Sequence, residues 1–73
     1  MVSQWYYFVM PRKIRELLRD LRKAGFVDRG GKGSHRNLRH PSGAHITMSG
    51  HDGDDARPYQ EKDTVKALKE VGK

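Results

Sequence analysis

The sequence predicts one small α+β domain of element order α-β-β-β-α, with two helices on one face of a three-stranded antiparallel sheet. Three observations predict it. Ile14, Leu17, Leu18 and Leu21 recur at helical spacing near the start, and Val65, Leu68 and Val71 do so near the end. Between these stretches, "SHRNLR" and "AHITM" alternate in polarity on either side of the turn signal "HPSG". The chain has 73 residues, enough for one modest core.

Pro11 suits the first turn of a helix, where a missing N–H costs nothing. The spacing predicts a helix from about Pro11 to Ala24, ended by Gly25, which takes positive φ without strain. Phe26–Arg29 reads as a short strand, followed by a glycine loop over Gly30–Gly33. Ser34–Arg39 reads as the second strand and Ala44–Met48 as the third. Side chains alternate across a strand, so Ser34 and Arg36 share the side of Leu38 while His35, Asn37 and Arg39 point the other way. In the third strand Ala44, Ile46 and Met48 face the helices, which leaves His35, His45 and Thr47 on the open face of the sheet or at its edge. "SGHDGDDARPY" reads as a polar loop, and a second helix runs from about Gln60 to Val71, ended by Gly72. There is no internal repeat and no low-complexity linker.

Charge narrows the partners. The net charge is +6, the pI is near 10.0 and 33% of residues are charged, a surface that favours RNA, DNA, an acidic protein or anionic lipid. From Arg12 to Arg39 ten Lys or Arg face three acids, whereas from Asp52 to Asp63 five acids face Arg57 and Lys62. The positive field therefore belongs to one half of the chain. With no cysteine there is no disulfide and no thiolate metal site, which is compatible with a reducing compartment. The apolar run Trp5–Met10 is far too short to cross a bilayer. The start also lacks the basic segment and small-residue cleavage site of a signal peptide. The expected location is the cytoplasm, with no membrane partner.

Four histidines lie between His35 and His51. His40 precedes Pro41 and is expected to cap the turn. His45 is expected as a surface residue of a polar strand face, and His51 as a solvent-exposed loop residue. His40, His45, His51 and Asp52 include donor types that bind zinc, but no helical i, i+4 pair brings them together, so no metal and no cofactor is expected. His35 differs because of its neighbours. Glycines before it let the backbone approach a phosphate, and successive N–H groups form an anion nest. Lys32, Arg36 and Arg39 add positive charge able to hold a phosphodiester. An imidazole titrates near pH 6.5 and exchanges a proton at neutral pH. RNA carries its own nucleophile, the 2′-hydroxyl, so its cleavage needs a base, charge stabilisation and in-line geometry. A histidine among cations meets those needs.

"PRKIRELLRDLRKAGF" followed by "GKGSHRNLRHPSG", together with "ITMSGHDGDDARPYQEKDTVKALKEVG", resembles the HicA family of toxins. The similarity runs from Met10 to Gly72, and the Gly-Ser-His-x-x-x-x-His-Pro pattern is its specific part. The resemblance implies a fold like that of double-stranded-RNA-binding domains, and a metal-independent, mRNA-cleaving toxin neutralised by a HicB antitoxin. It places the catalytic histidine on His35. RNA is then expected to be held by Arg12, Lys13, Lys32, Arg36 and Arg39, with Gly33 and Ser34 of the loop. Residues 10–73 form the expected RNA-cleaving domain. Residues 1–9 precede the "MPRK" at which such a chain typically begins, and read as an N-terminal extension, a disordered segment or the product of a start codon placed too early.

Three functions of different classes therefore fit the residues: an RNA-cleaving toxin, a non-catalytic RNA-binding module using the same basic face, and an interaction protein whose basic surface serves an acidic partner. Replacing His35 separates the first from the second. The salt dependence of RNA binding separates both from the third.

Overall fold

The computed structural model describes residues 11–31 and 33–72. The expected extension, residues 1–9, and the proposed RNA contact Lys32 lie outside the described residues. Those described form helix α1 (Ile14–Lys23), strands β1 (Val27–Asp28), β2 (Arg36–Arg39) and β3 (His45–Met48), and helix α2 (Pro58–Glu70). The sheet is antiparallel in the order β1-β2-β3. This is the expected α-β-β-β-α arrangement.

Helix α1 buries Ile14, Leu17, Leu18 and Leu21, the stripe that its sequence spacing predicts. Its end is a Schellman motif: the Phe26 N–H donates to the Leu21 carbonyl and the Gly25 N–H to the Arg22 carbonyl. Gly25 takes φ 106° there, and Phe26 is buried against the helix it has just left. The start differs from expectation. Residues 11–13 are not helical, because the chain there pairs with the loop before α2 instead. Lys13 bridges Asp55, and the Ala56 N–H donates to the Arg12 carbonyl at 2.7 Å. The helix begins one residue after Lys13, whose own N–H is satisfied by the Glu16 carboxylate at 3.1 Å.

The signal of proline at the first helical position applies to the other helix, where Pro58 follows the cap residue Arg57. Helix α2 therefore starts two residues earlier than Gln60. Its buried face also differs from the expected Val65, Leu68 and Val71. Gln60, Thr64 and Ala67 are buried, Leu68 and Val71 pack at the margin, and Val65 is exposed. Two of the inward residues are polar, so a search for apolar residues missed them. Both are satisfied: Gln60 donates to the Ser49 carbonyl at 2.8 Å, and Thr64 donates to the Gln60 carbonyl at 2.8 Å.

The strands are shorter than expected, since Ser34, His35 and Ala44 fall just outside them. Register pairs Arg36 with Met48, Asn37 with Thr47, Leu38 with Ile46 and Arg39 with His45. Leu38, Ile46 and Met48 point to the helices and join one core with the α1 stripe, Phe26, Ala56 and Ala67. Asn37, Arg39, His45 and Thr47 point to solvent. One face of the sheet is covered by helices, and the other is open along β2 and β3. Among the described residues, no helix is long and apolar enough to cross a membrane.

Candidate functional site

The open face carries His35, immediately before β2. The residue is exposed, as its alternation with Leu38 requires. Its Nδ1 lies 3.0 Å from the Ser49 hydroxyl, across the sheet and one residue past β3. A hydroxyl both donates and accepts, so Ser49 can pair with Nδ1 whether that nitrogen carries a proton or not. The ring is thereby held by one nitrogen, and among the described residues Nε2 makes no hydrogen bond. Ser49 is itself fixed from behind, because its carbonyl accepts the buried Gln60 amide. Thus α2 anchors β3, and β3 orients the imidazole.

The glycine loop holds His35 from the other side. A Cβ at Gly31 would stand 2.3 Å from the His35 carbonyl oxygen, closer than any side chain permits. The backbone there passes where only glycine fits. The loop is further pinned by Asn37 N–H to the Gly30 carbonyl at 3.0 Å and by Arg29 N–H to the Asn37 carbonyl at 2.7 Å. One expected nest donor is already engaged, since the Gly30 N–H donates to the Asp28 carboxylate at 2.7 Å. Gly33 is exposed and Ser34 half-buried beside His35.

The expected cations divide into two groups. Arg39 is exposed on the same face as His35, two alternations along β2. The other three described cations make ion pairs elsewhere. Arg12 reaches Asp20 at 2.7 Å and Glu16 at 3.7 Å. The hydrogen bond to Asp20, with the charges of Asp20, Glu16 and Glu61, holds its guanidinium above the ordinary arginine pKa against a smaller opposing effect of burial. Lys13 pairs with Asp55 at 2.6 Å and Arg36 with Asp52 at 2.9 Å. Arg36 stands on the Leu38 side of β2 and bends to the loop after β3, so it flanks the open face rather than lying on it. Solvated pairs of this kind contribute little and exchange readily for a stronger anion.

The remaining histidines separate by role. His40 is a structural residue, as its place before Pro41 suggests. Its Nδ1 accepts the Ser42 N–H at 3.0 Å, its Nε2 lies 3.1 Å from the Ala24 carbonyl, and its ring packs on Phe26 at 5.2 Å. It ties the β2–β3 turn to the end of α1. His45 and His51 are exposed. Among the described residues, no three His, Cys, Asp or Glu side chains stand together as metal ligands.

Sequence reasoning missed Ser49, Gln60 and the hydrogen bond between Thr47 and Asn37 at 3.1 Å. The first was within reach. The His40 N–H donates to the Ala44 carbonyl at 2.8 Å, closing the hairpin there, and counting outward from that pair sets His35 opposite Ser49.

No curated protein matches the chain. A family model described as the HicA toxin of bacterial toxin-antitoxin systems matches residues 14–72, from the first residue of α1 to the glycine that follows α2. That span holds both helices, all three strands, the glycine loop, His35 and Ser49, and on it the chain belongs to the HicA family of toxins.

Proposed function

We propose that this toxin is a metal-independent endoribonuclease that cleaves messenger RNA, with His35 as its catalytic residue and a HicB-like protein as its antitoxin. The observation that carries the proposal is the exposed His35 ring, fixed through Nδ1 by Ser49 with Nε2 left for substrate. In the proposed reaction Nε2 takes the proton of the ribose 2′-hydroxyl. The 2′-oxygen then bonds to phosphorus and the P–O5′ bond breaks. The leaving 5′-oxygen, on the far side of phosphorus, receives a proton from water, and the imidazolium returns its proton to solvent. The products are a 2′,3′-cyclic phosphate and a 5′-hydroxyl end, and no cofactor enters the balance. Gly33 and Ser34 beside the ring, Arg39 two alternations along the same face, Lys32 in the loop, and Arg36, Arg12 and Lys13 at the flanks would hold phosphates. Donors aimed at phosphorus stabilise charge that develops as the fifth bond forms.

The test is cleavage of a synthetic mRNA fragment by the purified chain and by His35→Ala. Cleavage should vanish in the variant, RNA binding should persist, and the melting temperature should stay within a few degrees because the side chain is exposed. A 2′-deoxy substitution at the cut position should also block cleavage. An active His35→Ala protein would remove the residue from the mechanism. RNA binding without cleavage by the unaltered chain would leave a non-catalytic RNA-binding module.

A further inference from the structure

The open face carries a ladder of cross-strand pairs. Following the β2–β3 register, His35 stands opposite Ser49, Asn37 opposite Thr47 and Arg39 opposite His45. The first two pairs are joined by side-chain hydrogen bonds of 3.0 and 3.1 Å. Residues two apart on one strand face are spaced by about 7 Å, comparable to one nucleotide step of an extended strand. Past the last rung, a hollow of about 280 Å³ is lined by Val27, Arg29, Arg39, His40 and Pro41. Among the described residues, neither Arg29 nor Arg39 has an ion-pair partner.

Resting on the endoribonuclease function above, we propose that single-stranded RNA runs along this ladder from His35 to Arg39, and that Asn37 with Thr47 selects the nucleotide next to the cut. The scissile phosphate lies at His35. The neighbouring nucleotide lies over Asn37 and Thr47, and the phosphate two steps from the cut meets Arg39 and Arg29 at the hollow. Three features favour one strand over a duplex. The sheet is three strands across, about 10 Å between its outer strands, which suits one chain of nucleic acid. Duplex RNA presents 2′-hydroxyls and phosphates across a wide, shallow groove, which projecting helices and loops read by shape. In-line attack also needs the 2′-oxygen, phosphorus and 5′-oxygen in a row, a geometry that regular A-form stacking withholds and an extended strand permits.

The Asn37 amide is the group able to discriminate. Its Oδ1 accepts the Thr47 hydroxyl proton, which leaves the NH2, beside Gly31 of the glycine loop, as the donor. A base presenting a carbonyl oxygen or a ring nitrogen acceptor to that donor is favoured over one presenting an amino group. Arg39 and Arg29 carry charge but read no base, so their contribution is uniform across sequences.

The experiment measures binding of short labelled RNAs by fluorescence anisotropy, using the His35→Ala chain throughout so that RNA stays intact. Cut-site preference is measured separately with His35 present. A single strand should bind more tightly than a duplex of the same sequence. Arg39→Ala and Arg29→Ala should each flatten the slope of log affinity against log salt by about 0.7. Asn37→Ala and Thr47→Val should each relax the base preference beside the cut by roughly threefold to tenfold, while Lys69→Ala on α2, away from the open face, changes neither quantity. Equal binding of duplex, with open-face variants silent and Arg12→Ala or Arg36→Ala flattening the slope, would overturn the ladder while leaving endonuclease activity intact. Failure of the unaltered chain to cut RNA at all would remove the endonuclease function, and the ladder with it.

Discussion

His35 Nδ1 and the Ser49 hydroxyl meet at 3.0 Å across the open edge of the β2–β3 hairpin, joining two residues fourteen positions apart. A lone exposed imidazole samples several rotamers, and this contact selects one. Its loss leaves His35 present but less often aimed at substrate. Ser49→Ala should therefore lower kcat by roughly threefold to tenfold, the worth of one net hydrogen bond, with KM unchanged. The melting temperature should move little, since Ser49 gives its structural bond through its backbone carbonyl. Ser49→Thr, which keeps the hydroxyl, should retain most of the activity. Steady-state kinetics of the two variants decide the matter, and equal kcat for Ser49→Ala and the parent would show that the contact orients nothing of consequence.

Gly31 makes a stronger demand. A methyl group there meets the His35 carbonyl at 2.3 Å, so the loop or the start of β2 must shift in Gly31→Ala. A displacement of the order of 1 Å at a reacting group costs about a hundredfold in rate. Gly31→Ala should lose most cleavage while the core under α1 persists, because the clash lies outside it. Gly33→Ala is the contrasting variant. Its Cβ would meet nothing within 4 Å, although its φ of 59° makes the change mildly strained. Circular dichroism and cleavage measured together separate a local displacement from unfolding, and full activity in Gly31→Ala would mean the loop yields freely.

Much of this arrangement was legible in the sequence, and what was not has a physical reason. The α1 stripe and the alternation of β2 and β3 follow from apolar periodicity, which is strong where one face is buried. That alternation put His35, His45 and Thr47 on the open face. Pro11 misled because a proline ahead of an apolar stripe looks like a helix start, whereas Arg12 and Lys13 after it pair with the chain at Asp55 and Ala56. Nothing local signals a partner more than forty residues away. The inner face of α2 misled for a different reason. Gln60 and Thr64 are inward because their hydrogen bonds close on Ser49 and on the helix itself, which residue polarity does not reveal. Ser49 could be placed only through the hairpin register, and the strand ends are where alternation loses force.

The pair between Arg36 and Asp52 makes a prediction of opposite sign to most substitutions. At 2.9 Å the carboxylate occupies the place that a phosphate oxygen would take on the guanidinium. RNA must displace it, or leave Arg36 unused. Asp52→Asn keeps the shape, removes the competing charge and leaves Arg36 available. RNA affinity at low salt should rise roughly twofold to fivefold, the range set by a solvated ion pair. The gain should shrink as salt screens the surface. Stability should be almost unchanged, since both partners are solvated. Unaltered affinity in Asp52→Asn, together with unaltered affinity in Arg36→Ala, would take Arg36 out of the RNA contact altogether.

The antitoxin provides the last prediction. His35 stands on an uncovered sheet face with Arg29 and Arg39 on the same side, so an acidic protein laid over that face would block substrate by cover and charge pairing alone. No conformational change in the toxin is needed, because the helices brace the opposite side of the sheet. We expect a HicB-like antitoxin to bind here and exclude RNA competitively. Opposite charges speed encounter, so the association rate should fall as salt rises, while buried contacts set the lifetime of the complex. Arg39→Ala should slow association more than it shortens that lifetime. A hydrogen-exchange or cross-linking map of the complex should show protection at residues 33–39 and 45–49. Protection confined to α2 and the acidic segment Gly50–Asp55, with His35 still accessible, would sink the occlusion model, because inhibition would then have to act on the site from a distance.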